Sequence, residues 1–279
     1  MKNILIIFIV ILNLNSVSQA KIKISFGLYS SDKPSLMVQQ FRPLLNYLET
    51  ALSIKLRDDV KIKTQVFATY ELGINAIATG MVDFSRLGPA SYVFAKSQQP
   101  DLSILAVENQ KGRTFFYGII AIAEDSDIVA VNDLNGRSFA FGDERSTIGR
   151  YLSQNYLVTY GIKAGDLANY SYLGRHDKVG MAVAAKAFDA GALKQSTFKK
   201  LVANGHKIKK LADFKNVTKP WVASKNLNVA IKAALVDALL SLKDQKILTQ
   251  FGKSGFSIVT DSHFDVIRTA IFKNSHFFE

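Results

Sequence analysis

Residues 139–149 read Phe-Ala-Phe-Gly-Asp-Glu-Arg-Ser-Thr-Ile-Gly: an apolar strand, a polar turn, then two adjacent hydroxyls, Ser146 and Thr147, where the next helix starts. The first N–H groups of a helix have no partner within it and carry a partial positive charge, so two hydroxyls there complete a cradle for an oxyanion. Ordinary N-capping by Ser146 accounts for the same residues taken alone. Two other segments repeat the pattern. Arg86-Leu87-Gly88-Pro89-Ala90-Ser91-Tyr92 is again strand, turn and helix start, with a hydroxyl and a phenol facing forward, and Thr69-Tyr70-Glu71 opens a further helix. Gly174-Arg175-His176-Asp177-Lys178 is a fourth turn ahead of a helix. There His176 can donate to an anion and adds charge if protonated, a capping or surface role being the alternative. Helix starts that follow strand ends converge on one crevice in open α/β sheets, so the segments together favour anion binding more than any single cap does.

Other chemistries find less support. His206, His263 and His276 are scattered and form no zinc spacing. No Gly-x-Ser-x-Gly elbow surrounds a serine, so a hydrolase is not expected. The expectation is a binding protein with no cofactor, no metal and no enzymatic activity.

The elements that must position these residues alternate along nearly the whole chain, which argues an α/β fold. Strands are expected at 21–27, 61–67, 82–87, 138–141, 170–173, 188–192 and 207–211. Between them, Met37, Phe41, Leu44, Leu45 and Leu48 recur at helical spacing after Pro34, and 70–79 and a segment opening at Pro89 read as helices. Long helices at 228–242 and 261–272 close the chain. Residues 76–84 (Ala-Ile-Ala-Thr-Gly-Met-Val-Asp-Phe) are echoed at 182–190 (Ala-Val-Ala-Ala-Lys-Ala-Phe-Asp-Ala), each a helix end, a tight turn and a strand beginning near an aspartate. The copies lie too far apart for a solenoid and fit two lobes built on one plan. No Pro/Gly/Ser-rich linker separates the lobes, so extended strands join them, at 114–123 and after Lys219. The expected organisation is lobe 1 at 21–117 and 223–279, with lobe 2 at 118–222.

Residues 1–20 read as a signal peptide: Lys2, an apolar run over 4–12, then a polar stretch with small residues at Ser18 and Ala20. The run is too short to serve comfortably as a membrane anchor, so cleavage after Ala20 and no stable membrane insertion are expected. The absence of cysteine rules out disulfides and lipid attachment at the leader, which points to the periplasm. The formal charge of +12 is spread along the chain, without the interleaved aromatics of a nucleic-acid platform; no nucleic-acid partner is expected. A solvated basic surface or steering of a small anion accounts for it.

These segments resemble the phosphonate-binding branch of the periplasmic binding proteins, the capture subunits of phosphonate and phosphite ABC importers. The likeness runs from residue 21 to about 242. It is carried by Leu87-Gly88-Pro89-Ala90-Ser91-Tyr92, by Phe141-Gly142-Asp143 with Ser146-Thr147, and by His176 with Asp189-Ala190-Gly191. It implies a two-lobed type II fold with two crossover strands and hinge-like closure. It also implies that Tyr70, Tyr92, Ser146, Thr147 and His176 contact the phosphonyl oxygens. One position departs from the pattern. Binders that accept an amino group often carry an acidic residue before the proline of the return crossover, and here the segment is Thr218-Lys219-Pro220-Trp221. Lys219 is therefore expected to disfavour aminoalkyl phosphonates and to favour a ligand whose far side is small, neutral or anionic, with Asp189 the acidic member of the candidate set. The implied role is capture of a phosphonate-, phosphite- or phosphate-like oxyanion for an ABC transporter permease. Delivery of an anion signal to a membrane kinase or cyclase is the alternative.

Overall fold

The computed structural model describes residues 22–279; the signal peptide expected at 1–20 lies outside the described residues. No described helix is long and apolar enough to cross a membrane. The first half of the chain runs β1 (Ile22–Tyr29), α1 (Pro34–Leu56), β2 (Val60–Phe67), α2 (Tyr70–Thr79), β3 (Phe84–Arg86), α3 (Pro89–Gln98), β4 (Ser103–Asn109), β5 (Phe115–Ala123) and β6 (Ser138–Phe141). A π-helical turn at Thr147–Tyr151 then leads into α4 (Leu152–Thr159), β7 (Asn169–Tyr172), α5 (His176–Ala184), β8 (Ala190–Lys194), α6 (Gln195–Ala203) and β9 (Ile208–Val217). The remainder is β10 (Pro220–Ala223), α7 (Val229–Ser241), α8 (Gln245–Phe251), β11 (Gly255–Ser257) and α9 (Asp265–Phe272).

These strands make two sheets, ordered β11-β4-β10-β3-β1-β2 and β7-β6-β8-β5-β9. β1 pairs in parallel with β2 and β3, and β6 with β7 and β8. The strands that cross between lobes pair antiparallel instead: β10 with β3 and β4, and β5 with β8 and β9. Helices cover both faces of each sheet, so the central strands are apolar nearly throughout. Phe26 on β1, for instance, stacks on Trp221 of β10 at 5.1 Å with both rings fully buried. Truncating an aromatic in such a position costs about 3–5 kcal/mol.

The chain passes from the first sheet to the second between β4 and β5 and returns between β9 and β10. The two passages are tied to each other: the Thr218 N–H donates to the Thr114 carbonyl at 2.9 Å, and the Glu108 N–H to the Lys219 carbonyl at 3.1 Å. A third connection follows from the end of the chain. α9 packs against α3, while Phe277 beyond it is fully buried with Phe141 and Tyr170 of the second lobe. Asn274 Nδ2 donates to Gln154 Oε1 at 2.8 Å, and Asn155 Nδ2 to the Ala270 carbonyl at 2.8 Å. The sequence assigned 223–279 to the first lobe; its last turns bridge to the second, because Phe277 finds its apolar partners there.

The internal echo has a physical counterpart. Asp83 Oδ2 accepts from the backbone N–H and hydroxyl of Ser25 at 2.7 and 2.6 Å, and Asp189 Oδ2 accepts from the same groups of Ser138 at 2.8 and 2.7 Å. The helix ends match as well, with Met81 N–H to the Ala76 carbonyl and Ala187 N–H to the Ala182 carbonyl, both at 2.9 Å. Each turn needs a left-handed residue, supplied by Gly80 (φ 78°) and by Lys186 (φ 58°).

Candidate functional site

The parallel strands of both sheets end facing the cleft, where their following turns meet. At the end of β1, the buried Tyr29 hydroxyl accepts the Gly88 N–H at 2.5 Å and lies 2.9 Å from Ser91 Oγ. A Cβ on Gly88 would sit 2.8 Å from the Tyr29 hydroxyl oxygen, so only glycine allows this approach. Pro89 at the first position of α3 brings no N–H. The next free donor, Ala90 N–H, crosses the cleft to Thr147 Oγ1 at 2.8 Å. Thr147 thus caps a helix of the opposite lobe. Ser146 caps its own helix, its hydroxyl accepting the Gly149 N–H at 3.0 Å. Ser146 is thus a cap, and both residues line the cavity.

Thr69 caps α2 through the Leu72 N–H at 3.2 Å and sets Tyr70 at the first helical position. The Tyr70 ring lies 4.0 Å from that of Tyr29. Burial raises the pKa of both phenols, Tyr29 to about 12 and Tyr70 well above the ordinary value, so both remain neutral donors. His176 opens α5, its backbone N–H donating to the Ser31 carbonyl of the other lobe at 3.1 Å. Its ring is buried, and Nδ1 has no partner among the described residues. Burial, then the nearby Lys194, and finally Lys219 push its pKa down to about 3 despite Asp32, so this histidine is neutral rather than a cation at pH 7.

Together Tyr29, Tyr70, Gly88, Pro89, Ser146, Thr147 and His176 line a space of about 270 Å³, completed by Phe116, Ile148, Lys194, Asn216 and Lys219. Five of the seven residues singled out in the sequence meet here: Tyr70, Ser146, Thr147, His176 and Lys219. Tyr92 and Asp189 do not. The Tyr92 hydroxyl donates to Asp261 Oδ1 at 2.6 Å and its ring packs on Phe264, on the face of α3 turned towards α9. Asp189 is spent on Ser138 in the turn motif described above.

Three contributors carried no signal in the sequence. Asn216 of β9 is buried opposite Phe116 of β5, and neither its Nδ2 nor its Oδ1 has a partner among the described residues. Lys194, ending β8, pairs with Asp32, which also accepts from Thr197 Oγ1 at 2.8 Å. Burial opposes ionisation of Asp32, but Lys194 and the other donors hold its pKa down to about 2. Tyr29 is the third. A buried asparagine facing a cavity in both donor and acceptor capacity is a signal that only the pairing of β5 and β9 reveals.

Lys219 sits on the return crossover, partly buried, and its ammonium makes no hydrogen bond or ion pair among the described residues. Burial, then Arg86 and Lys194, hold its pKa well below the lysine range, with Glu108 offsetting in part. Arg86, Arg145 and Arg175 are each engaged by a carboxylate. Arg86 grips the fully buried Glu108 in a fork, Nε to Oε1 at 2.5 Å and Nη2 to Oε2 at 2.9 Å. Arg145 reaches Glu71 across the cleft mouth at 2.8 Å, and Arg175 pairs with Asp177. No hydroxyl of the cavity hydrogen-bonds to His176 among the described residues.

A sequence profile described as "ABC transporter, phosphonate, periplasmic substrate-binding protein" matches residues 26–264. A probable phosphite-binding protein of an ABC transporter from Prochlorococcus marinus (strain MIT 9301), PhnD1, is 26% identical over 159 residues, 53% of this chain. That match spans about half (52%) of the relative's own length. The crystal structure of PhnD1 from the same organism with methylphosphonate superposes with a TM-score of 0.78 at 21% identity, covering 90% of this chain and 97% of the other. A binding protein component of an ABC phosphonate transporter from Pseudomonas aeruginosa gives 0.78 at 19%, covering 91% and 87%. The likeness in structure establishes the fold, type II with two lobes.

Proposed function

Since this chain belongs to the family of periplasmic substrate-binding proteins of phosphonate ABC transporters, we propose that it captures a small tetrahedral phosphorus oxyanion, of the phosphite, methylphosphonate or phosphate class, between its lobes. One observation carries this reading: His176 Nδ1 and both amide atoms of Asn216 are buried, without partners among the described residues, and placed around a cavity that Lys219 also lines. Buried polar atoms without partners cost about 1–3 kcal/mol each, so the cavity is built for an occupant that supplies the missing hydrogen bonds. Asn216 Oδ1 adds a specific preference. It can accept a hydrogen bond, which the P–O–H of a singly protonated phosphonate or phosphite donates and a sulfonate cannot. The cross-cleft bonds supply closure, and delivery to a membrane permease of the importer, after export through the 1–20 leader, completes the assignment.

Calorimetry on protein freed of bound ligand by unfolding and refolding tests this. Phosphite, methylphosphonate or phosphate should bind, methanesulfonate should bind far more weakly, and Asn216→Leu should weaken the best ligand by about tenfold or more. Equal affinity for methanesulfonate, or an Asn216→Leu variant that binds as the parent does, counts against the site.

A further inference from the structure

The oxyanion cavity does not end at Lys219. Phe116, Lys194 and Lys219 line it on one side and, on the other, help to wall a second and larger space of about 840 Å³. Arg86, Lys200 and Lys253 also face this second space, and Asp32 is the carboxylate among its lining residues. Asp32 is already held by Lys194 and Thr197. Glu108, beneath Arg86, is held by Arg86, by Lys253 at 3.1 Å and by Trp221 Nε1 at 3.3 Å. The carboxylates nearby are therefore taken, and the ammonium of Lys219 is left over between the two spaces.

We infer that the ligand carries a second anionic group on a short spacer, a carboxylate-bearing phosphonate being the simplest case, and that Lys219 selects it. This rests on the oxyanion reading of the first cavity. An oxyanion seated there points its substituent past Lys219 into the second space. A carboxylate on that arm gives Lys219 a charge-assisted partner in a site with little water, whereas an ammonium meets four further cations, Arg86, Lys194, Lys200 and Lys253. Burial disfavours the charged form of Lys219, and an anionic arm reverses that.

Calorimetry with methylphosphonate, propylphosphonate, phosphonoacetate and 2-aminoethylphosphonate tests the inference on the full refolded protein. Phosphonoacetate should bind about tenfold tighter than methylphosphonate or propylphosphonate, and 2-aminoethylphosphonate weakest of the four. In Lys219→Met the ratio between phosphonoacetate and propylphosphonate should collapse to within about threefold. The comparison of ligands on the parent protein stands even if that variant does not fold. Methylphosphonate binding with phosphonoacetate no tighter, or a ratio unmoved in Lys219→Met, overturns the inference and leaves the oxyanion site standing. If methylphosphonate, phosphite and phosphate all fail to bind, the oxyanion reading itself fails and takes this one with it.

Discussion

At the scale of single residues, the cleft combines groups whose charge burial has reshaped. His176 is the clearest case, with its pKa pushed from 6.5 to about 3. Below pH 6.5 an unfolded chain takes up a proton there that the folded chain refuses, so this residue makes stability fall from pH 6.5 down to about pH 3. The loss is about 2 kcal/mol by pH 5. His176→Gln should flatten the fall in melting temperature between pH 6.5 and 5, since one of the protons responsible is gone; an unchanged slope contradicts the buried, neutral assignment. Asp32 adds nothing in this window, because its loss begins only below its ordinary value of 3.8. Ser146, Thr147, Tyr70 and His176 were legible in the sequence because each stands at a helix start, where local pattern and location coincide. Asn216 and Lys194 were not, because they come from strand ends that pairing alone brings to the cleft. Tyr92 was misplaced by one helical turn. As the fourth residue of α3 it points towards α9, whereas the cleft contacts come from Gly88 and Pro89.

At the scale of elements, the same turn is built twice from different residues. Asp83 with Ser25 and Asp189 with Ser138 fasten a helix end to the start of a strand in each lobe. In the second copy Lys186 takes the left-handed position that Gly80 holds in the first, at a cost of about 1 kcal/mol that the rest of the turn offsets. Gly80 has a second reason to be glycine, since a Cβ there would lie 2.6 Å from Asn226 Nδ2. Asp189→Ala should lower the unfolding free energy by about 1–3 kcal/mol in denaturant titrations, with oxyanion affinity changed by less than about threefold. A large loss of affinity without a loss of stability points instead to a ligand contact. The alternation of strands and helices was readable because apolar periodicity is local. β4 and the three-residue β11 were not, since pairing across distant segments defines them. β3 is shorter than expected because its flanks serve the Asp83 turn and the Gly88 turn.

At the scale of the whole molecule, the cleft is closed, and the bonds across it are few enough to name. Ala90 N–H meets Thr147, His176 N–H meets the Ser31 carbonyl, Arg145 meets Glu71, and Asp32 holds Lys194 and Thr197. At the Asp32 latch both charges are largely withdrawn from water. Asp32→Asn should raise the radius of gyration measured by small-angle scattering and weaken oxyanion binding by about tenfold; unchanged scattering and affinity would remove the latch from the account. The connection through Asn274 and Phe277 has a different consequence. A body held at two neighbouring points swings about the line between them, like a door. A third fixing that touches neither point loads that swing, and the door becomes a spring. On the proposed reading, a segment that never meets the ligand helps to set how long it stays.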